Sequence, residues 1–312
     1  MKRLFTFFMG WLFFVAIVPA LMAQDHLLIT EFAVTPTEGE FIEIYNPTDH
    51  TIDLSNYYIT DATFANGGVF YYKIVTGNGG GGDFFDFNAR FPDGATIAPG
   101  EHQTIAIAGD KAFFDTYGVL PTYELYEDST DFADDRPEMR EATPNSIATP
   151  FNSTRPSGLS NSGEVIILYY WDGQSDLVQD VDYVVWGDKV EAVDKTGVSI
   201  DGPDADSEPS TYLPDTPIDE QHVVNADNDD DPNPHDDGMS AQRRLNVEDV
   251  ENWLGGNGIT GHDETSEDLS WRGGIWSINE PPTPNRRALG DSLTIADIQF
   301  IRADSIGEEI ND

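Results

Sequence analysis

Residues 164–171 read Glu164-Val165-Ile166-Ile167-Leu168-Tyr169-Tyr170-Trp171, with apolar side chains on both alternating faces. Such a run predicts a central strand covered on two sides, and it is the best core candidate in the chain. In the next run, 178–186, Val181, Tyr183 and Val185 alternate with Asp180, Asp182 and Val184. That pattern predicts a strand with one face packed and the other mostly wet. Between the two runs, Asp172-Gly173 supplies a positive-φ turn that lets them pair as a long hairpin. Working outward, β-type runs recur at 27–34, 40–45, 57–60, 69–75 and 103–108, each bounded by turn residues. Short strands at such spacing predict an all-β sandwich or barrel. One helix stands apart: Asp110 is placed to cap it, Phe113 and Tyr117 share a face, and Gly118 ends it. The stretches 77–94, 124–156 and 201–238 are expected as surface loops.

The chain has 312 residues with 57 acidic and 16 basic side chains, a formal charge of -41 and no cysteine. A field of that sign repels polyphosphate, so nucleic-acid binding through cationic contacts is disfavoured. The absence of cysteine excludes disulfide frameworks, thiolate zinc sites, iron-sulfur clusters and cysteine nucleophiles. At the N-terminus, Lys2 and Arg3 precede an apolar run over 4–18, Pro19, and Ala20-Leu21-Met22-Ala23. This pattern is that of a secretory signal peptide over 1–23, cleaved after Ala23. The alternative, a signal anchor, is disfavoured because the run falls short of the ~20 residues that span a bilayer comfortably. No cysteine follows the run, which excludes a lipoprotein anchor, and nothing later is apolar enough to span a membrane. The mature protein is therefore expected to be secreted or at the cell surface.

Three segments carry a family resemblance. Leu28-Ile29-Thr30-Glu31-Phe32, Glu40-Phe41-Ile42-Glu43-Ile44-Tyr45-Asn46-Pro47-Thr48 and Ile52-Asp53-Leu54-Ser55-Asn56-Tyr57-Tyr58-Ile59-Thr60-Asp61 together resemble the opening of a bacterial lamin-tail domain. Further matches follow in order: Ile97-Ala98-Pro99-Gly100-Glu101 with Phe114 and Tyr117-Gly118, then Leu159-Ser160-Asn161-Ser162-Gly163-Glu164-Val165 with Val181-Asp182-Tyr183-Val184. The series closes with Ser240-Ala241-Gln242-Arg243-Arg244, Trp271 and Pro282-Thr283-Pro284-Asn285, where Asn285 replaces the family's usual glycine. The resemblance covers about residues 26 to 287 and implies an immunoglobulin-like β-sandwich acting as a non-catalytic accessory or tethering module. It implies no catalytic residues. The domain is thus placed at 24–287, interrupted by acidic insertions. Residues 288–312 read as a linker whose run 292–301 resembles the entry to a following module, or else adds an edge strand to the sandwich.

Motifs for chemistry are weak. Gly256-Asn257-Gly258-Ile259-Thr260-Gly261 satisfies G-x-G-x-x-G, but no strand precedes it and His262-Asp263-Glu264 would place negative charge where a pyrophosphate sits. It reads as a loop. The chain has no G-x-S-x-G, and its six histidines form no H-E-x-x-H or i, i+4 pair, so zinc is not expected from the sequence. Glu40 and Glu43 lie an odd number apart on a predicted strand and face opposite sides; one is expected solvated and the other bonded to a loop. Aromatic groups at 57–58, 70–72 and 169–171 read as core, whereas Phe84-Phe85-Asp86-Phe87, just after a tetraglycine, is the first place to look for a partner surface.

Calcium is the ligand that composition favours. Residues 201–238 hold thirteen acidic side chains and no Lys or Arg. Asp227, Asp229 and Asp231 have the 1, 3, 5 spacing of an oxygen-ligand loop, and Asp204 and Asp206 repeat it with Glu208. Proline occupies the sixth position in both, at Pro232 and Pro209, so neither is an EF-hand. These residues are expected either to hold Ca²⁺ or to form solvated acidic loops.

The sequence therefore reads as an exported lamin-tail-like module binding an extracellular or cell-surface protein or polysaccharide. Competing readings are a secreted metal-dependent hydrolase, a calcium-stabilised carbohydrate-binding module, and a stabilising appendage of a catalytic domain beyond residue 312. Three or more Asp, Glu or His side chains gathered in a concave pocket would favour the hydrolase; acidic groups scattered over convex loops would favour the module.

Overall fold

A computed structural model of the chain describes residues 24–130, 136–225, 232–244, 246, 248, 251, 252, 254–269 and 275–285. The signal-peptide segment 1–23, Asp227, Asp229, Asp231, Trp271 and the run 292–301 lie outside the described residues. The strands are β1 (Leu28–Ala33), β2 (Phe41–Tyr45), β3 (Ile52–Asp53), β4 (Tyr57–Thr60), β5 (Asn88–Arg90), β6 (Thr96–Ile97), β7 (His102–Ala106), β8 (Tyr123–Glu124), β9 (Arg140–Glu141), β10 (Gly163–Tyr170), β11 (Gln179–Gly187), β12 (Ser199–Ile200), β13 (Ser210–Thr211), β14 (Ser240–Arg243) and β15 (Trp276–Glu280). They form a six-stranded sheet in the order β15-β14-β1-β2-β7-β8 and a five-stranded sheet in the order β11-β10-β4-β5-β9, with two small ribbons, β12-β13 and β3-β6. The expected all-β sandwich is what forms.

Between the sheets, Ile29, Phe32, Ile42 and Ile44 of one layer meet Ile59, Ile166, Leu168 and Trp186 of the other. Phe32 stacks on Trp186 with ring centroids 5.0 Å apart. Ile29 and Phe32 can share a face only because the register of β1 against β2 shifts between Ile29 and Glu31, a bulge that resets the alternation. Each sheet also has an outer cover. Phe41 and Ala106 carry α1 (Asp110–Tyr117) through Phe113. The outer face of the five-stranded sheet, formed by Val165, Ile167, Tyr169, Tyr183 and Val185, lies under Tyr71, Tyr72, Val193 and Tyr212. The run 164–171 is therefore buried on both sides, and it pairs with β11 and β4 as a central strand should.

Four expectations are corrected. Residues 69–75 form no strand; Tyr71–Thr76 is a 3₁₀ helix ended by Gly77 at φ 84. Its buried residues Tyr71, Tyr72, Ile74 and Val75 have helical spacing, which period-two reading misses in a short apolar run. The helix cap is not Asp110, which is already helical. Asp128, from a distant loop, accepts from the amides of Lys111 (3.2 Å) and Ala112 (3.0 Å). The insertions are not only surface loops, since Phe87, Ala89 and Phe91, and Leu125, Tyr126, Met139 and Ile147, enter the core. The acids of β11 are neither wet nor on one face: a register shift sends Asp180 to Tyr71 on the outer side and Asp182 to the Ile29 amide between the sheets, and they are 1% and 0% exposed. Each is held by a buried cation, Lys195 at 2.5 Å and Arg243 at 3.0 Å.

Candidate functional site

The tetraglycine builds a tight approach. A Cβ on Gly81 would come within 2.5 Å of the Asn88 amide and the Ser146 carbonyl, and one on Gly82 within 1.8 Å of the Asn145 carbonyl. Both glycines also hold positive φ, so the segment passes where side chains cannot. It then turns sharply, the Gly82 amide donating to Asp86 O (2.8 Å) and the Asp86 amide to Asp83 O (2.9 Å). Phe84 and Phe85 sit on this turn at φ 57 and 78, a conformation that bulky residues adopt only under constraint. They are 41% and 48% exposed, whereas Phe87 is buried. The Gly158 amide donates to Phe85 O (2.9 Å), and the Arg155 guanidinium lies 5.8 Å from the Phe85 ring centre.

These rings line a groove of about 530 Å³ with Pro156 and Leu159 on the rim and Glu40, Asp86, Glu164 and Glu191 within it. Behind it stands Asp61, fully buried, with carboxylate oxygens of Asp61, Asp86 and Glu164 within 4.8 Å of one another. Asp61 Oδ1 accepts from the Phe87 amide (2.6 Å), but Oδ2 has no hydrogen-bond partner. Among the described residues no Lys or Arg forms an ion pair with Asp61, Asp86 or Glu164. Burial first, and then the Glu191 carboxylate, push the Asp86 acid up to about 8. Burial, with Glu191 and Asp86, raises Glu164 well above the usual range. For Asp61, burial and the neighbouring Asp86 and Glu164 do the same. Burial and mutual repulsion thus shift the Asp61–Asp86–Glu164 group toward the neutral form unless a cation joins it.

Glu40 and Glu43 do not follow the expected split of one solvated and one bonded, because both are buried. Glu40 accepts from the Leu159 amide (2.9 Å), and Glu43 from Thr30 Oγ1 (3.1 Å) and the Asn285 amide (2.9 Å). Burial pushes Glu40 up to about 8, with the nearby Glu38 adding to the shift. The sign follows: the folded state binds this proton more tightly than the unfolded chain, so its stabilisation is complete below about 4.5 and is lost as pH rises through about 8. Glu40→Gln, which fixes the neutral shape, is expected to flatten the fall in stability between pH 5 and 8 by up to about 1.4 kcal/mol per pH unit. Urea midpoints at the two pH values read this directly; an unchanged slope would show that Glu40 is ionised in the fold.

The calcium residues anticipated from spacing are placed as follows. Asp204 lies with Asp176 and Asp201 in a partly exposed acidic group. Asp204 Oδ1 accepts from the Asp206 amide (3.0 Å) and Asp206 Oδ1 from the Glu208 amide (2.8 Å), so both serve local turns. Asp176 is also engaged, accepting from Gly202 N (2.8 Å) and Ser210 Oγ (2.8 Å). The G-x-G-x-x-G segment is a loop, as expected, tied by Gly258 N to His262 O (2.8 Å) and Ile259 N to Asp180 O (2.7 Å). The Asp61–Asp86–Glu164 group was invisible to spacing, because its members come from three separate segments. The tetraglycine beside Phe84-Phe85 was the one legible signal.

Two facing sheets, antiparallel except for the β7–β8 pair, whose loops present a groove, define an immunoglobulin-like domain. The sequence matches the lamin tail domain family over residues 21–188, more than half of the chain, and the chain belongs to that family. Comparison with curated proteins returns no match. Among solved structures, a DUF4876 family protein from Bacteroides thetaiotaomicron VPI-5482 is similar with a TM-score of 0.42 and 13% identity, over 85% of this chain and 73% of that one. Among the described residues no helix is long and apolar enough to cross a membrane.

Proposed function

We propose that this chain is an exported, non-catalytic attachment module of lamin-tail type, which holds an uncharged polysaccharide strand in the Phe84–Phe85 groove. The observation that carries the reading is the pair of half-exposed phenylalanines at positive φ over a concave site. Strain of this kind persists where the surroundings impose it, and it clusters at ligand sites. Rings offer flat apolar faces, and neutral acids and backbone groups offer hydrogen bonds. The overall charge of -41 disfavours polyanions.

Calcium belongs to the same reading. Hard cations take six to eight oxygens. The Asp61–Asp86–Glu164 group, with one buried oxygen lacking a donor, has a stronger claim on Ca²⁺ than Asp204 and Asp206, whose carboxylates already serve turns. The same gathering of acids in a concave pocket is the feature that favours the metal-dependent hydrolase, which stands as the second reading.

Isothermal titration of the mature chain against neutral and anionic polysaccharides, with and without Ca²⁺, tests both. Each ring is expected to contribute about 1 kcal/mol, so Phe84→Ser with Phe85→Ser weakens binding of a neutral strand roughly thirty-fold. Equal binding by the double variant would overturn the reading. New reducing ends on prolonged incubation, abolished by Asp86→Asn, would establish the hydrolase instead.

A further inference from the structure

The start of β1 meets the loops that follow β14. His26, Glu248, Glu251 and His262 come together there, all buried, each offering one ligand atom within 4.8 Å of the others. His26 Nε2 lies 3.0 Å from Glu248 Oε2, and His262 Nδ1 lies 3.0 Å from Glu251 Oε1 and 3.4 Å from Glu264 Oε1. The two imidazole rings are 4.9 Å apart between centres. We propose that His26, Glu248, Glu251 and His262 form a closed structural site for a divalent transition ion of the zinc class, fastening the N-terminal strand to the loop that carries Glu248–His262.

The donor set is two imidazoles and two carboxylates with no thiolate, which suits Zn²⁺ and is too nitrogen-rich for Ca²⁺ or Mg²⁺. Zinc bonds of ~2.0–2.2 Å in a tetrahedron place ligand atoms roughly 3.4 Å apart; here the four ligand atoms lie within 4.8 Å of one another, two pairs at 3.0 Å, so small shifts close the site on an ion. The positioning contacts are those that metal-bound histidines use. His26 Nδ1–H donates to Leu27 O (3.0 Å), which turns Nε2 toward Glu248. Thr260 Oγ1 contacts His262 Nε2, leaving Nδ1 toward the glutamates. Gln24 Nε2 lies 2.7 Å from His26 Nε2 itself and also contacts Glu248, so an ion bound there displaces this amide.

Protein groups alone leave this cluster under-satisfied. Both carboxylate oxygens of Glu251, Glu248 Oε1 and Glu264 Oε1 are buried without a well-formed hydrogen bond, although the His262 ring approaches Glu251 and Glu264 at 3.0 and 3.4 Å. Arg243 is committed elsewhere, at 2.7 Å from Glu267 and 3.0 Å from Asp182, and stands 3.7 Å from Glu248. Buried oxygens in this state are costly, and an ion within reach of several at once removes the deficit. Four protein ligands with no open position make a structural site, not a catalytic one.

The test uses the mature full chain. After dialysis it is expected to retain one zinc per chain by mass spectrometry, and Co²⁺ in its place should give the intense visible bands of a tetrahedral ion. Stripping with phenanthroline, which leaves calcium in place, should lower Tm by about 5–10 °C relative to a hundredfold excess of Zn²⁺ over Kd. The double substitution His26→Ala, His262→Ala should abolish stoichiometric zinc, while His222→Ala, at a half-exposed site, keeps it. Should the double variant fail to fold, the wild-type cobalt spectrum and chelator shift decide. Substoichiometric zinc with an unchanged Tm, or full zinc retention in the double variant, overturns the proposal.

Discussion

Arg243→Met is expected to destabilise the domain by about 3–5 kcal/mol, a large share of the ~5–15 kcal/mol that holds a domain folded. The guanidinium is fully buried; its Nη2 donates to both oxygens of Asp182 at 3.0 Å, its Nη1 to Glu267 at 2.7 Å and its Nε to the Ile29 carbonyl at 2.9 Å, so its fork spans three partners. It therefore joins β14, β11, β1 and the loop carrying Glu267 in one contact set. Removing it leaves two carboxylates in a medium where an isolated charge is hard to keep. Burial already pushes Asp182 up to about 6 and Glu267 up to about 8 even with the cation beside them. Denaturant titration should show the midpoint drop, and adding Asp182→Asn should restore part of it, since the neutral amide no longer needs a counter-charge. A loss below about 1 kcal/mol would mean that water reaches the site. Arg243→Lys should not rescue fully, because an ammonium cannot match the fork.

Lys195→Met is the second large effect, again about 3–5 kcal/mol. The ammonium is buried at 2.5 Å from Asp180 and 3.0 Å from Asp215. Tyr71 OH donates to Asp180 at 2.5 Å, so the 3₁₀ segment, β11 and the insertion holding Asp215 close on one cation. Despite burial, the two carboxylates hold the lysine above its usual range. Its contribution is therefore present throughout ordinary pH and lost only above that range. The variant supplies a sharper signature. Without the cation, Asp180, whose carboxyl burial already raises, can relieve its charge by taking up a proton, so the deficit measured by urea unfolding should be smaller at pH 4 than at pH 8. A pH-independent deficit would indicate lost packing alone.

These two cations explain where sequence reading stopped. The run 164–171 announced its own burial, because every position after Glu164 carries an apolar or aromatic side chain on one face or the other. Its neighbour β11 looked half wet because Asp180 and Asp182 are charged. They are buried only because Lys195, from the loop that follows β11, and Arg243, from β14, arrive beside them, and alternation carries no record of such partners. The bulge in β1 and the helical spacing at 71–75 are local, and a finer reading of periodicity would have found the second. The exposure of Phe84 and Phe85 was legible from the tetraglycine, whereas the acids beneath them gather by topology. The same holds for His26 and His262, whose separation in sequence hides them from any motif.

The central claim is that Phe84, Phe85 and the rim at 155–159 form the ligand surface. Hydrogen–deuterium exchange of the mature chain with and without a saturating neutral polysaccharide measures it most directly. Protection confined to 83–87 and 155–160, with the outer acidic loop at 201–210 unchanged, is the result expected. Protection centred on 201–210 with the Phe84–Phe85 turn unaffected would contradict the assignment.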